Sequence, residues 1–204
     1  TDIQRQIVFD GVGWTASEKM FKLTFQDGGS QAPGRVTTWS EVITFAAAQT
    51  SPWELIFDGT CEVPAGTGVD FNALCMWRAL PNASVTIRDT GTVTNVKGVT
   101  GALFVSCEAQ TQYAFRFTQD YTFYLSGLSF IESAAGSLVP AVQVDTQYLT
   151  IEASDGSYFY TSGFTTIFNF PVPAGDHYFL FKDFFQPGSN SSVPVNSIDA
   201  EATS

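Results

Sequence analysis

The stretch from residue 51 to residue 66, SPWELIFDGTCEVPAG, constrains the fold more than any other part of the chain. A short apolar strand at residues 55–57 runs into the turn Asp58-Gly59. A second strand at residues 60–63 runs into the turn Pro64-Ala65-Gly66. Short strands separated by tight corners are typical of a chain that wraps around one coil of a β-solenoid. We therefore predict that this stretch opens a solenoid.

The same pattern recurs downstream in hexamers that pair apolar residues two apart and follow them with an acid. Their spacing is uneven, and the longest gap, from Val85 to Leu128, has room for one more strand near residues 103–105. A loose period of about 20–30 residues is typical of solenoid repeats. We therefore interpret the hexamers as repeats of one motif. They begin at Leu55, Val85, Leu128, Leu149 and Phe179.

These patterns predict an all-β chain: a short right-handed parallel β-helix over residues 36–186, preceded by an arm over 1–35 and followed by a tail over 187–204. A capping helix is predicted near residues 40–49, with Ser40 as its N-cap, because three alanines favour a helix there and a proline stops it. The alternative fold is an antiparallel sandwich or jelly roll, which short strands and frequent turns also allow.

The arm contains strand-like segments between chain breakers. Residues 21–25, FKLTF, alternate strictly between apolar and polar, as a half-buried strand does. Aromatic residues on a segment rich in breakers often become ordered only on a partner. We therefore predict that four arm residues bind a partner. They are Phe9, Trp14, Phe21 and Phe25.

The aromatic residues concentrate in the second half of the chain, where they alternate with polar residues, as in Phe115-Arg-Phe117. We interpret them as core rings that stack on the coils above and below. The alternative is that the excess near residues 158–185 covers a subunit interface, where aromatic residues are enriched.

Composition excludes several classes of partner. The 204 residues carry a formal net charge of −11 with only nine basic residues, so no cationic surface for nucleic acid or for an anionic membrane is expected. No apolar run approaches the ~20 residues that span a bilayer. The odd number of cysteines (Cys61, Cys75 and Cys107) and the lack of a signal-peptide pattern predict synthesis in a reducing host cytoplasm. We interpret these cysteines as small core residues.

The order of a short amphipathic helix followed by Leu55-Ile-Phe-Asp-Gly-Thr and Val63-Pro-Ala-Gly resembles the opening of right-handed parallel β-helix domains in bacteriophage tailspikes and related virion proteins. The resemblance covers residues 39–68 directly and residues 69–185 by general pattern only. Polysaccharide lyases and pectin-active hydrolases open in a similar way. Because this chain is shorter than a tailspike usually is, the resemblance implies a small virion accessory protein.

An enzyme of this shape would use paired carboxylates. If the hexamer acids stacked on one another, each would raise the pKa of its neighbour. The other interpretation, which we favour, is that acids at strand ends face water or bind turn amides. His177, the only histidine, would have to serve any serine–histidine relay, and no Gly-x-Ser-x-Gly elbow supplies a nucleophile. The candidate acids are Asp58, Asp89, Asp120, Glu132, Glu152 and Asp183.

We therefore expect a non-enzymatic structural virion protein: a capsid decoration or cement protein, or a small spike or fibre subunit. It would act as a homotrimer, contacting other virion proteins such as the major capsid protein, with no catalytic residue, metal or cofactor. The alternative is a polysaccharide-active lyase or hydrolase, or a tailspike-type module that only binds carbohydrate.

Overall fold

A computed structural model of the protein describes residues 6–9, 14–17, 20–161, 167–170 and 176–181, the first two ranges and residue 181 by their backbone. The chain forms a parallel β-solenoid of about five coils with a single described helix. Three sheets of parallel strands form its sides, so the predicted β-helix is confirmed and the antiparallel sandwich is not the fold. A separate antiparallel hairpin joins β1 (Gln6–Phe9) to β2 (Trp14–Ser17).

The strands of each sheet follow one another from the N-terminal end of the solenoid to its C-terminal end. Sheet 1 contains β4 (Arg35–Val36), β3 (Phe21–Phe25), β5 (Trp53–Phe57), β8 (Cys75–Ala79), β11 (Gly98–Thr100), β14 (Tyr121–Leu125), β17 (Leu149–Ala153) and β20 (Tyr178–Phe181). Sheet 2 contains β6 (Thr60–Val63), β9 (Ser84–Ile87), β12 (Phe104–Cys107), β15 (Phe130–Ser133) and β18 (Tyr158–Thr161). Sheet 3 contains β7 (Gly68–Asp70), β10 (Thr92–Thr94), β13 (Phe115–Phe117), β16 (Val142–Val144) and β19 (Phe168–Asn169).

Each coil contributes one strand to every sheet, but the coils differ in length. The coil that runs from Trp53 to its register partner Cys75 is shorter than the coil that runs from Tyr121 to its partner Leu149. The longer coils carry larger corners between sheets 2 and 3. The hexamers that we interpreted as one repeat belong to two sheets: those from residues 55, 149 and 179 to sheet 1, and those from 85 and 128 to sheet 2.

The interior is filled by every second residue of the strands, because successive side chains point to opposite faces of a sheet. Aromatic rings dominate near the N-terminal end, where Trp77 lies 4.9 Å from Phe57 and 5.8 Å from Phe71, ring centre to ring centre. All three cysteines are buried and unpaired, as predicted for core residues. Burial raises the pKa of each thiol, so the thiols stay protonated.

The helix α1 (Trp39–Ala47) closes the N-terminal end of this interior, and Trp39 and Val42 face the core. Its N-cap is Thr38 and not Ser40: the Thr38 hydroxyl accepts a hydrogen bond from the Glu41 amide, and the Glu41 carboxylate accepts one from the Thr38 amide. This capping box satisfies two helix-end donors, whereas Ser40 already lies within the helix.

Part of the segment that we predicted as an arm is built into the solenoid. The strand β3 pairs with β5 along its whole length, from Phe21 opposite Trp53 to Phe25 opposite Phe57. The half-buried alternation predicted for this strand is confirmed, with Leu23 and Phe25 buried. Residues 20–36 therefore form the first layer of the solenoid beside the helix.

Candidate functional site

Within the part of the chain that the structure describes, the hexamer acids do not form a stack along the solenoid. Asp58 follows a strand of sheet 1, and its carboxylate lies 3.5 Å from the Arg35 guanidinium. Asp89 follows a strand of sheet 2 and accepts hydrogen bonds from the amide and hydroxyl of Thr111, at 2.7 and 2.8 Å. Those bonds lower the pKa of Asp89, which is opposite to the shift that stacked carboxylates would cause.

The other candidate acids within the described residues also have non-acidic neighbours in the sheet register or as hydrogen-bond partners. Glu132 on β15 lies between Ser106 and Tyr160 in the sheet register. Glu152 on β17 lies between Tyr124 and Leu180. Asp120 accepts hydrogen bonds from the Thr146 hydroxyl and from the Tyr148 amide. Asp183 lies outside the described residues.

His177 is a structural acceptor in this fold. Its Nδ1 accepts a hydrogen bond of 3.3 Å from the backbone amide of Leu149, at the start of β17. Its ring lies 5.0 Å from the ring of Phe170. Burial is the main influence on the imidazole and lowers the pKa of His177 from its ordinary value.

The four predicted partner-binding residues lie in different environments. Phe25 is fully buried, with its ring 5.6 Å from Trp39 and 6.1 Å from Phe57. Phe21 is 49% exposed beside the capping helix. Phe9 and Trp14 are partners in the hairpin register, and their side chains lie outside the described part of the structure.

A polar groove crosses the outer face of sheet 3, with a volume of about 650 Å³. Its floor is a line of outward-facing side chains that lie opposite one another on neighbouring strands. Parallel strands lie ~4.8 Å apart, so hydrogen-bonding groups recur at that spacing along the solenoid axis. The line consists of Asp70, Thr94, Arg116 and Gln143, and it continues to Asn169.

One wall of the groove is the corner between β12 and β13, which carries Tyr113. Buried Gln110 fixes this corner by donating a 2.9 Å hydrogen bond to the Ile87 carbonyl. Asp89 holds it from below through the two bonds to Thr111. The Tyr113 hydroxyl accepts a 2.9 Å hydrogen bond from the Asn169 side chain. The wall is therefore held in place by hydrogen bonds before any ligand arrives.

The charged groups of the groove are fixed by neighbours. Nε and Nη2 of Arg116 both donate to one oxygen of Asp145, at 3.2 and 2.6 Å. Oδ1 of Asp70 accepts from the buried Asn95 side chain at 3.1 Å and from the Asn72 amide at 2.8 Å. The groove thus presents oriented donors and acceptors with little net charge.

A second candidate surface is an aromatic ladder on the outer face of sheet 2. Phe104, Phe130 and Tyr158 lie opposite one another on successive strands. The rings of Phe130 and Tyr158 are 4.5 Å apart, and Tyr158 is 5.8 Å from Tyr160. At the same register the first two coils carry only Thr60 and Ser84. The ladder, defined as Phe104, Phe130, Tyr158 and Tyr160, therefore belongs to the last three coils.

Exposed apolar side chains flank the aromatic ladder at the corners of the fourth coil. Leu128, before β15, is 57% exposed, and Leu138, after it, is 72% exposed. Within the ladder, partial burial together with the charge and hydrogen bond of Glu132 raises the pKa of Tyr160 to about 12, so the phenol stays neutral. The four ladder residues are half-buried, and their exposed parts together with the two leucines give this face the apolar character that is typical of contact regions.

Sequence reasoning missed the groove. Three of its floor residues, Asp70, Arg116 and Gln143, are the central members of apolar–polar–apolar triplets, such as Phe115-Arg-Phe117 and Val142-Gln-Val144, whereas Thr94 is followed by polar Asn95. That pattern indicates a strand with one polar outward position, but only the coil spacing shows that the positions line up. The expectation of aromatic core residues is confirmed for the inward rings, while the aromatic ladder points outward.

Metal-ligating side chains are not clustered in this structure: within the described ranges, no group of three or more histidine, cysteine or acidic side chains is arranged to hold a metal ion. In that same part of the chain, no helix has the length and apolar character that crossing a membrane requires. Comparisons of the chain with protein-family models, with curated proteins and with solved structures find no match.

Proposed function

We propose that the chain is a non-enzymatic structural protein of a virion, a small spike or decoration subunit, which assembles as a homotrimer through the aromatic ladder. The observation that carries the proposal is the ladder itself, in which Phe130 and Tyr158 stack on the outer face of sheet 2 beside exposed Leu128. Aromatic residues are enriched in protein interfaces, and large apolar patches are rare on monomers. The resemblance of the opening motif to virion β-helix domains supports a virion as the biological setting.

A three-fold axis parallel to the solenoid axis would bring three copies of the aromatic ladder together, so that each ladder residue meets the same residue of the other two copies. Closed cyclic symmetry of this kind is common in homo-oligomers. The net charge of −11 opposes association, and the apolar contact must exceed that repulsion. Assembly should therefore strengthen as salt screens the charges.

Sedimentation analysis tests the assembly. The wild type should sediment at three times the 22.1 kDa chain mass, and Phe130→Ser should shift it to the monomer. Tyr148→Ser is the matched control, because Tyr148 is 53% exposed outside the aromatic ladder. A monomeric wild type at micromolar concentration, at both low and high salt, would contradict the proposal. Detection of the chain in purified virus particles tests the virion assignment separately.

The placement of the acids supports the non-enzymatic part of the proposal. Asp58 and Asp89 bind neighbouring groups on different sheets, and the register partners of Glu132 and Glu152 are not acids. A glycosidase needs two carboxyl groups within roughly 5–10 Å of each other across the substrate. Glu62 and Glu108 do approach each other, but the guanidinium of Arg88 lies between them and binds each carboxylate at 2.7 Å. We expect no cleavage of polysaccharide by the wild type. Cleavage that is lost in Glu132→Gln or Glu152→Gln would establish the enzyme instead.

Carbohydrate binding without cleavage is the second candidate function, and the polar groove of sheet 3 favours it. Sugars are recognised by fixed polar groups beside an aromatic face, and the groove sets Tyr113 next to the polar line that contains Arg116 and Gln143. Binding of a glycan by the wild type, and its loss in Tyr113→Ala, tests this function.

A further inference from the structure

We infer that the groove of sheet 3 selects an uncharged, hydroxyl-rich polysaccharide that lies along the solenoid axis. This inference rests on the carbohydrate-binding function proposed above and names the class of its ligand. The direction, charge and rigidity of the groove each restrict the ligands that fit.

The direction of the groove indicates an extended ligand. Its floor crosses four neighbouring strands, from Asp70 on β7 to Gln143 on β16. Three strand spacings correspond to a length of about 14 Å. Gly68, at the edge of the floor, carries no side chain, and a Cβ placed there would meet no atom within 4 Å. The groove is therefore an open channel suited to several units of a linear chain.

The charges of the groove disfavour an anionic chain. The lining contains one acid, Asp70, and one base, Arg116. The positive charge of Arg116 is already paired with Asp145 at 2.6 Å, so little attraction remains for a carboxylate or sulfate on a ligand. The net charge of −11 adds a repulsion that acts over the whole surface.

The remaining polar groups match hydroxyls. Thr94 supplies a hydroxyl that can both donate and accept. The Thr92 hydroxyl donates to the Tyr113 carbonyl at 3.1 Å and is left as an acceptor, and the Gln143 amide keeps its oxygen and one N–H while the other N–H donates to Asp145. A hydroxyl is likewise both donor and acceptor, so it can pair with each of them. The ring of Tyr113 offers an apolar face at the wall for the C–H surface of a sugar.

The rigidity of the wall explains how the groove could discriminate between ligands although it is open to solvent. Asp89 and Gln110 fix the corner that carries Tyr113, and Asn169 holds the Tyr113 hydroxyl at 2.9 Å. A rigid wall loses little conformational entropy on binding. We therefore treat Asp89 as a positioning residue for Tyr113 and not as an acid catalyst.

Titration calorimetry with two matched sets of polysaccharides tests the inference. One set is neutral (a linear glucan, a galactan and a mannan), and the other is anionic (hyaluronate and polygalacturonate). We expect binding to a member of the neutral set. Tyr113→Ala should weaken that binding at least tenfold, and Tyr113→Phe, which keeps the ring but loses the hydrogen bond from Asn169, should weaken it by less than Tyr113→Ala does. Tyr124→Ala is the control, since Tyr124 is an exposed aromatic residue of sheet 1. Thermal unfolding confirms that each variant is folded.

The outcomes separate the inference from the function on which it rests. Binding to anionic chains alone, weakened by Tyr113→Ala, overturns the inference and leaves carbohydrate binding at the groove in place. Binding of no member of either set overturns both. Binding that Tyr113→Ala and Gln143→Ala leave unchanged places the sugar site elsewhere and overturns the assignment of the groove.

Discussion

The substitution Gly98→Ala, which adds a single methyl group, tests how tightly the coils of the solenoid are stacked. Gly98 lies on β11 opposite Met76 and Tyr124. A Cβ added there would lie 2.5 Å from the Tyr124 carbonyl oxygen and 3.0 Å from the Met76 methyl carbon. The methionine side chain is flexible and can move, but the carbonyl belongs to the backbone of the neighbouring strand. Relieving the contact requires β11 and β14 to separate by roughly 0.9 Å.

The expected loss of stability follows from the hydrogen bonds between β11 and β14 that this separation would weaken. Two hydrogen bonds join the strands on either side of the contact: the Tyr124 amide donates to the Lys97 carbonyl at 3.1 Å, and the Ser126 amide donates to the Val99 carbonyl at 3.0 Å. Each contributes about 1 kcal/mol net, and overpacking a tight site typically costs about 1–3 kcal/mol. We therefore expect Gly98→Ala to lower the free energy of unfolding by about 1–3 kcal/mol. For a chain of this length the melting temperature should fall by roughly 2–4 °C per kcal/mol.

Urea and thermal unfolding, followed by circular dichroism, measure the effect, and hydrogen exchange at the Tyr124 and Ser126 amides localises it. Gly68→Ala is the matched control, because Gly68 is also in a strand and its added Cβ would meet nothing within 4 Å. The control should be neutral or slightly stabilising, since alanine restricts the unfolded chain. A Gly98→Ala protein as stable as the control, with unchanged exchange at both amides, would refute the close stacking of these coils.

Two further predictions concern the ends of the solenoid. Phe25→Ala should destabilise the protein by about 3–5 kcal/mol, because the ring is fully buried, whereas Phe21→Ala should cost much less in the same urea titration; equal effects would contradict the placement of β3 in the core. Burial lowers the pKa of His177, so its hydrogen bond from Leu149 should stabilise the fold above about pH 6.5 and be lost as the pH falls from there through the folded-state pKa. Hydrogen exchange at the Leu149 amide between pH 7.5 and 5 should show this loss of protection. His177→Asn should remove the pH dependence. Protection of the Leu149 amide that stays constant over this range in the wild type would contradict the prediction.

The position of the capping helix was predictable, but its first residue was not. Alanines and the following proline place a helix near residues 40–49 whatever surrounds it. The choice between Ser40 and Thr38 as N-cap depends on which hydroxyl stands outside the first turn. Burial of Trp39 against the aromatic core places that residue in the helix and leaves Thr38 as the cap.

The assignment of residues to the arm also needed tertiary information. The alternation of residues 21–25 indicates a strand with one buried face. It does not indicate what covers that face. Pairing with β5 places Phe25 in the core and leaves Phe21 half exposed, so two residues from one pattern have different surroundings.

The sequence by itself determined the strands and corners of this protein, because alternation, glycine and proline act over a few residues. The strand of residues 60–63 and the turns on either side of it follow from local chemistry alone. Only the tertiary structure decided which strands stack, because coils of unequal length keep no fixed period along the chain. That stacking sets Arg116 beside Gln143 on one face and Phe130 beside Tyr158 on another. The groove and the aromatic ladder are therefore products of the register between coils, which no short stretch of sequence encodes.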